Sequence, residues 1–237
     1  MQLFHSSRVS YYMNAAQKLS APLGFPFYSI REEIANSILH GIGTLAATAG
    51  MVLLTLKAGG FLGGKGSGSL DIVAVLLFTV TMIGMYLIST LYHAIQHRGI
   101  KRLMRKLDHS VIFIFIAGTY SPLCLSGLGG IWGWSIFAVE WAMAFTGIAL
   151  NIAGYKHIHK IEIAIYIIMG WAIVAGMVPL IRSVPVICVI LLFSGGIAYT
   201  MGVFWYRKKN IRMTHAIWHA FVMAGTTCHW FSMWYLI

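Results

Sequence analysis

The chain has 237 residues, of which 59% are hydrophobic and only 10% are charged, and its mean hydropathy is +0.78. Soluble domains are about 45–50% apolar and about 25% charged, so the composition excludes a soluble globular protein, a disordered chain and a secreted disulfide scaffold. Seventeen Lys and Arg against six Asp and Glu give a net charge of +11, which in so apolar a chain we interpret as basic connections facing anionic lipid headgroups.

Seven apolar runs are long enough to cross a bilayer as helices, for which about 20 residues are needed. The predicted spans are Ile34–Lys57, Leu70–Ile95, Leu107–Ser126, Ile131–Ala153, Ile161–Ile181, Val184–Tyr206 and Met213–Tyr235. Runs of this length favour helices over the shorter, alternating strands of a membrane barrel. The sequence therefore predicts an all-α membrane protein, a seven-transmembrane helix bundle.

The distribution of Lys and Arg predicts the orientation of this bundle. Three lie in the N-terminal arm, five in the second connection, two in the fourth and four in the sixth, whereas the opposite side carries only Lys57, Lys65 and Arg182. Basic residues accumulate on the cytoplasmic side of membrane proteins. We therefore expect a cytoplasmic N-terminus and an external C-terminus.

The organisation of the chain is predicted to be simple, with an N-terminal cytoplasmic arm at residues 1–30 and one membrane domain at residues 31–237. The segment Met1–Ser29 lacks the compact apolar core and the cleavage site of a signal peptide. Its aromatic and basic residues are mixed with Pro22 and Pro26. Both a surface-lying arm and a disordered one remain open.

Polar residues in or beside the predicted spans share one level of the bundle. They are Glu32, Glu33, Asn36, His40, His93, Asp108, His215 and His219. At a rise of 1.5 Å per residue they occupy a layer about 10 Å thick near the predicted cytoplasmic face. Ionisable groups inside spans are costly, so each of them is a candidate functional residue.

The spacing of the histidines indicates a metal site. His215 and His219 stand at i, i+4 and project from one helix face, which suits two imidazole nitrogens on one zinc ion. His93 has the residue type and the depth to supply the third, which leaves the open fourth position of a catalytic zinc. Asp108 would hold a water there or act as a base, and Ser89 would hydrogen-bond the water or the substrate. Each residue alone has an ordinary interpretation, an interfacial histidine or an aspartate at a helix N-terminus, and only the joint pattern predicts the site.

Other ionisable residues are less informative. His229 lies deeper in the last span, and we interpret it as packed or hydrogen-bonded. Four histidines in or beside basic connections are interpreted as solvated; these are His97, His109, His157 and His159. Glu140 lies midway along the fourth span and needs a partner or a proton; a structural role and a polar path both remain open for it.

Four segments of the sequence resemble those of a known family. They are EEIANSILHGIG (Glu32–Gly43), STLYHA (Ser89–Ala94), KLDHSVIFIFIAGTYSP (Lys106–Pro122) and HAIWHAFVMAGTTCHW (His215–Trp230). In order and content they resemble the bacterial hemolysin III family, within the wider progestin and adipoQ receptor family. The resemblance covers nearly the whole chain from Arg31 onward, and it implies a seven-helix protein with a cytoplasmic N-terminus, multi-pass in the bacterial plasma membrane.

The resemblance also implies roles for particular residues. By position, the zinc ligands of the family are His93, His215 and His219 here. The family's aspartate at the beginning of the third span matches Asp108, and the serine of its SxxxH pattern matches Ser89. The family's first-helix pattern, Glu-x2-Asn-x3-His, falls on Glu33, Asn36 and His40, which are expected to form a support shell around the ligands.

Two functions are expected from this site. The first is zinc-dependent hydrolysis of a lipid amide or ester, since alkaline ceramidases look similar in arrangement and membrane lipid is both environment and substrate. The second is a non-enzymatic receptor, sensor or hemolysin-type permeabilising protein in which zinc is structural. Nucleic acid is not expected as a partner because the connections are too short to form a folded basic surface, and the sequence carries no signal of an oligomeric state.

Overall fold

The computed structural model of the chain describes residues 28–64, 68–155, 158–208 and 211–237, without the side chains of residues 159 and 160. Residues 1–27 of the predicted arm therefore lie outside the described part, and the division at residue 30 stays a prediction. Several residues used in the sequence argument also lie outside it; they are Arg8, Lys18, Pro22, Pro26, Lys65, Lys156, His157 and Lys209, with the side chains of His159 and Lys160.

The described residues form helices and no strand. The helices are α1 (Ile30–Ala58), α2 (Ser69–Ala94), α3 (Arg98–Pro122), α4 (Gly130–Ile152), α5 (Ile158–Trp171), α6 (Met177–Ser183), α7 (Val186–Tyr206) and α8 (Thr214–Leu236). A π-helical turn, Leu123–Leu128, continues α3, and a 3-10 turn, Ala172–Gly176, joins α5 to α6. Each of the seven predicted spans falls on one helical segment, with α5 and α6 together forming the fifth.

Six of these segments are long and apolar enough to cross a membrane: α1, α2, α3 with its π-helical end, α4, α5 with α6, and α7. The predicted all-α membrane class is therefore confirmed, and the chain is a multi-pass membrane protein. The 23-residue helix α8 is not among the six, because histidines and threonines make it less apolar. A seventh crossing and the sides on which the termini lie stay predictions.

Helix packing brings the first and the last of the described helices together. Each of α1, α2, α3 and α4 packs against the next, α7 packs against α8, and α8 in turn packs against α1. Close approach between α2 and α3 depends on Gly118, where a Cβ atom would lie 2.0 Å from the Thr81 hydroxyl oxygen. This order places the first turns of α1 and α8 beside the last turn of α2, where the predicted metal ligands lie.

The beginning of α3 differs from the prediction. We expected the third span to begin at Leu107, but the helix begins at Arg98, where the His97 side chain accepts a hydrogen bond from the backbone N–H of Ile100. The basic residues of the second connection therefore form the first turns of α3, which fits the good helix propensity of Lys and Arg. Asp108 lies three turns into the helix and not at its N-terminus, so its interpretation as a partner of the helix dipole is wrong.

Two helices are irregular at the same depth of the bundle. Pro122 has no N–H to donate within α3, and the chain continues from there as a π-helical turn. On the neighbouring segment, α5 gives way to the 3-10 turn. The Tyr120 hydroxyl joins them, since it donates to the Gly170 carbonyl at 3.0 Å and accepts the N–H of Ile173 at 3.0 Å. These contacts satisfy backbone groups that a regular helix would have paired internally.

Candidate metal centre

Three histidines from two helices converge at one end of the bundle. His93 lies in the last turn of α2, and His215 and His219 lie in the first two turns of α8. Their potential ligand nitrogens all lie within 4.8 Å of one another, and all three residues are buried. The sequence prediction that these histidines come together is confirmed, and the group can hold a metal ion.

The distances between the ring nitrogens fit tetrahedral zinc. The Nε2 atom of His93 lies 3.2 Å from Nε2 of His215 and 3.3 Å from Nε2 of His219. Nitrogens bound tetrahedrally at 2.0–2.1 Å from one zinc ion lie about 3.3 Å apart. Three lone-pair nitrogens at this separation repel one another unless a cation or a proton lies between them. The donor set therefore fits zinc on both distance and ligand type.

The outward nitrogen of His93 is held by a buried carboxylate. Nδ1 of His93 donates to Oε2 of Glu33 at 2.6 Å, which leaves Nε2 unprotonated and free to bind a metal. Lys101 pairs with the other oxygen of Glu33 at 2.8 Å, and the amide of Asn36 lies 3.4 Å from the same His93 nitrogen. Glu33 and Asn36 thus lie beside the ligand His93, where a support shell was predicted. The Glu33 carboxylate also neutralises the ammonium group of Lys101.

A second outward contact joins His219 to α1. Nδ1 of His219 lies 2.5 Å from Nε2 of His40, so one of these two nitrogens carries the proton of a hydrogen bond and the other accepts it. If Nε2 of His219 binds a metal, its Nδ1 carries that proton, and Nδ1 of His40 must then carry the next one. That His40 atom is buried without a partner among the described residues. Because His40 also lines a cavity, it can donate a hydrogen bond to a molecule bound there.

The third outward contact comes from the residue just before α1. The Tyr28 hydroxyl lies 3.1 Å from Nδ1 of His215, with the two rings 4.7 Å apart. Burial is the main cause that raises the pKa of the Tyr28 phenol, so the phenol stays neutral and its oxygen can accept the Nδ1 proton of a metal-bound His215. A capping box between Ser29 and Glu32 fixes this start of α1, and Glu32 also accepts the backbone N–H of Met213 at 2.8 Å.

An apolar cavity of about 120 Å³ begins beside the histidines. At the histidine end it is lined by three predicted site residues, His40, Ser89 and Asp108. The Ser89 hydroxyl is buried and interacts with the Asp108 carboxyl beside it. From there the cavity extends between α3, α5, α7 and α8 as far as His229. The side chains of His40, Ser89 and Asp108 can therefore contact the polar part of a molecule whose apolar part lies in the cavity.

Comparisons with known proteins agree with this arrangement. A sequence profile described as Haemolysin-III related matches residues 28–230. The chain belongs to the haemolysin III family. It is 37% identical over 206 residues to the Hemolysin-3 homolog of Bacillus subtilis, which covers 87% of this chain and 94% of the relative. It is 36% identical over 204 residues to Hemolysin-3 of Bacillus cereus, covering 86% and 91% of the two chains.

A more distant relative places the family in its wider group. The chain is 24% identical over 213 residues to the human Monocyte to macrophage differentiation factor, covering 86% of this chain and 83% of that one. This match supports the predicted relation to the progestin and adipoQ receptor family. The matched sequence region is therefore found in both bacterial and animal proteins.

Two histidine interpretations have contrasting outcomes in this haemolysin III protein. His229 donates from Nε2 to the Leu192 carbonyl at 3.1 Å, so its interpretation as hydrogen-bonded is confirmed. His109 was interpreted as solvated, and this is wrong: its Nδ1 lies 3.0 Å from the buried Glu162 carboxylate, and only 15% of its side chain is exposed. The longer α3 explains the error, because it carries His109 into the interface with α5.

Sequence reasoning missed two residues of the centre. Tyr28 was assigned to the arm, although the capping-box pattern Ser29-x-x-Glu32 directly after it was a visible signal that ordered helix begins there. Lys101 was counted only as a loop charge. It instead donates to the carbonyls of Tyr92 and Ile95 at the end of α2 as well as pairing with Glu33, and no local sequence pattern predicts so distant a pairing.

Replacing Tyr28 by phenylalanine tests the third outward contact. We expect Tyr28→Phe to weaken metal binding about tenfold, at the lower end of the 10–100-fold cost of losing an outer partner of a ligand histidine. Competition with a calibrated zinc chelator measures the change. Tyr235→Phe, at an exposed tyrosine near the far end of α8, serves as the control. Equal affinity in the two variants would show that the Tyr28 hydroxyl does not orient His215.

Proposed function

We propose that this protein is a zinc-dependent hydrolase of a lipid amide or ester, acting near the cytoplasmic face of the plasma membrane. The observation that carries the proposal is the buried cluster of His93, His215 and His219 opening beside a cavity that Ser89 and Asp108 line. Three histidines that leave a fourth position free are the ligand set of catalytic zinc, whereas structural sites use four protein ligands.

The chemistry divides between the metal and the side chains around it. Zinc bound there would supply a nucleophile at neutral pH by lowering the pKa of water, and would polarise the carbonyl that is attacked. The Asp108 carboxylate accepts the proton of the attacking water and returns it to the departing amine or alcohol. The Ser89 hydroxyl and the Nδ1–H of His40 donate hydrogen bonds to the substrate oxygen.

The substrate class follows from the cavity. Apart from its histidine end, its lining is dominated by apolar and aromatic side chains, among them Phe115, Trp171 and Val203. Such a lining excludes a charged or strongly hydrated chain but accommodates an acyl tail. A lipid fits this cavity when its amide or ester bond lies at the polar histidine end and its acyl tail lies in the apolar remainder.

Hydrolysis of lipids by the purified protein tests the proposal. A panel of N-acyl amides and acyl esters is presented in mixed micelles, and products are measured by mass spectrometry. We expect turnover that a chelator removes and zinc restores, and a loss of about 10²–10⁴-fold in Asp108→Asn, the range for removing a general base. Asp71→Asn, at the opposite end of the bundle, is the matched control. Turnover that neither chelation nor Asp108→Asn reduces would overturn the proposal.

A second candidate function is non-enzymatic, with a metal that holds α2 and α8 together in a receptor or a permeabilising protein. The names of two relatives, the Hemolysin-3 homolog of Bacillus subtilis and Hemolysin-3 of Bacillus cereus, favour this function. Release of dyes from vesicles that contain the purified protein tests permeabilisation. Release that persists in Asp108→Asn, in the absence of lipid turnover by the wild type, would favour this function over hydrolysis.

A further inference from the structure

Glu140 is a buried acid far from the histidine centre. It lies ten residues after the first residue of α4 and twelve before the last, which places it about 15–18 Å from either end of that helix, close to the middle of a hydrocarbon layer about 30 Å thick. Its exposed fraction is 0%. Neither the metal centre nor the cavity beside it includes this residue.

The carboxyl group of Glu140 has no partner. Both of its oxygens are buried without a hydrogen bond among the described residues. Two other buried acids have charged partners, since Glu33 pairs with His93 and Lys101, and Glu162 pairs with His109. Asp108 also interacts with its neighbours, namely the Ser89 hydroxyl and the side chains of His93, His109 and Arg105. Helix α4 contains no Lys, Arg or His that could serve as a counter-ion. An unpaired carboxylate in such surroundings costs many kcal/mol, so the group needs a bound cation or a proton.

The groups that face Glu140 do not supply a positive charge. Those close enough to interact with it electrostatically are the Tyr120 phenol at the end of α3 and the Cys124 thiol in the π-helical turn. The acid of α5, Glu162, lies about 12 Å before Gly170 along that helix and is already paired. No described residue of Ala172–Gly176 is ionisable.

The backbone around Glu140 is irregular on two sides. Tyr120 connects the π-helical end of α3 to the 3-10 turn after α5. Interrupted helices at membrane depth are typical of ion and proton sites in transporters, where they free backbone groups within the protein interior. The two helix interruptions fit an ion or proton site at Glu140 but do not identify the ligand. The identity of the ligand follows from the Glu140 carboxyl, which has no hydrogen-bond partner among the described residues.

We propose that Glu140 is a proton-binding site in the middle of the bundle, separate from the histidine centre, where a carboxyl group binds and releases one proton. A proton is the one ligand that neutralises the carboxyl without further coordinating atoms, and no described residue hydrogen-bonds to the carboxyl. Proton release leaves a carboxylate that needs local rearrangement or water to stabilise it.

Infrared spectroscopy of the purified protein in lipid tests this site. A protonated carboxyl has a carbonyl stretch above the amide band, and the difference between wild type and Glu140→Gln isolates the contribution of this residue. We expect a band at neutral pH that disappears as the pH is raised while the helical circular dichroism stays constant. The matched control, Glu162→Gln, keeps the band. Identical wild-type and Glu140→Gln spectra, or a band that never titrates while the protein remains folded, would overturn the proposal.

Reaction with a hydrophobic carbodiimide gives a second measurement. The reagent takes the proton of a protonated carboxyl on one nitrogen while the carboxyl oxygen bonds to its central carbon. In an apolar site without a competing nucleophile, the acyl group of this O-acylisourea then moves from oxygen to nitrogen, and the resulting stable N-acylurea marks the residue. We expect peptide mass spectrometry to find the adduct on Glu140, and the adduct to be lost in Glu140→Gln but kept in Glu162→Gln. Protection by sodium ions at constant pH would mean that a metal cation occupies the site, and would contradict a proton.

Discussion

Purified His219→Ala protein is expected to contain almost no bound zinc, with an affinity at least about 100-fold below that of the wild type, since loss of an outer partner alone costs about 10–100-fold. The Nε2 atom of His219 lies 3.3 Å from that of His93, and two remaining nitrogens cannot complete the ligand set of a protein zinc site. Elemental analysis after removal of loosely bound metal measures the stoichiometry, and chelator competition measures the affinity.

The control for this variant lies on the same helix. His229 is buried in α8 ten residues further on and bonds to a backbone carbonyl. His229→Gln is therefore expected to retain the zinc of the wild type. Circular dichroism in detergent establishes that both variants keep their helices. A His219→Ala protein that binds zinc as tightly as wild type would show that the three-histidine cluster is not the metal site.

Replacing Glu33 by alanine is expected to lower both zinc affinity and stability. The carboxylate fixes the tautomer of His93, so we expect affinity to fall about 10–100-fold. It also pairs with Lys101, whose side chain is 17% exposed. Leaving a mostly buried cation unpaired costs about 3 kcal/mol, at the lower end of the range for breaking a buried pair. Thermal unfolding of the metal-free protein separates the loss of stability from the loss of metal.

Two comparisons sharpen this result. Glu33→Gln keeps an oxygen that can accept from His93 but loses the charge, so we expect it to fall between wild type and Glu33→Ala. Glu32→Gln changes the neighbouring acid, which contacts the start of α8 and none of the ligand histidines, and it should keep wild-type affinity. If Glu32→Gln reduced zinc binding as much as Glu33→Ala, the effect would come from the helix start and not from the His93 contact.

The helices and the metal ligands were predictable from sequence because both are carried by short periodic patterns. Apolar runs of about 20 residues indicate spans whatever their partners are, and the i, i+4 spacing of His215 and His219 places two rings on one face. His93 required one further step, the inference of depth from the direction of each span. That inference held for His93 because the two helices that carry the histidines, α2 and α8, extend close to their predicted limits.

The contacts of the centre were less predictable because they depend on tertiary packing. The chain separates Glu33 from His93 by 60 residues and Tyr28 from His215 by 187, and no periodicity encodes such pairings. Hydropathy also placed the start of the third span too late in the sequence, at Leu107 and not at Arg98. The reason is that hydropathy treats Lys and Arg as loop residues, although both are good helix formers. For this reason His109 was expected in solvent, and Lys101 was given no role.

The large separation in sequence between His93 and the other two histidines, 122 and 126 residues, has a consequence for biogenesis. Synthesis proceeds from the N-terminus, so His93 emerges from the ribosome long before α8, the last helix. A nascent chain can therefore present only one of the three imidazoles until the last helix has been made and has docked against α1. A metal ion held by all three histidines would accordingly bind only at the end of assembly, and a chain truncated before α8 would lack two of the three imidazoles.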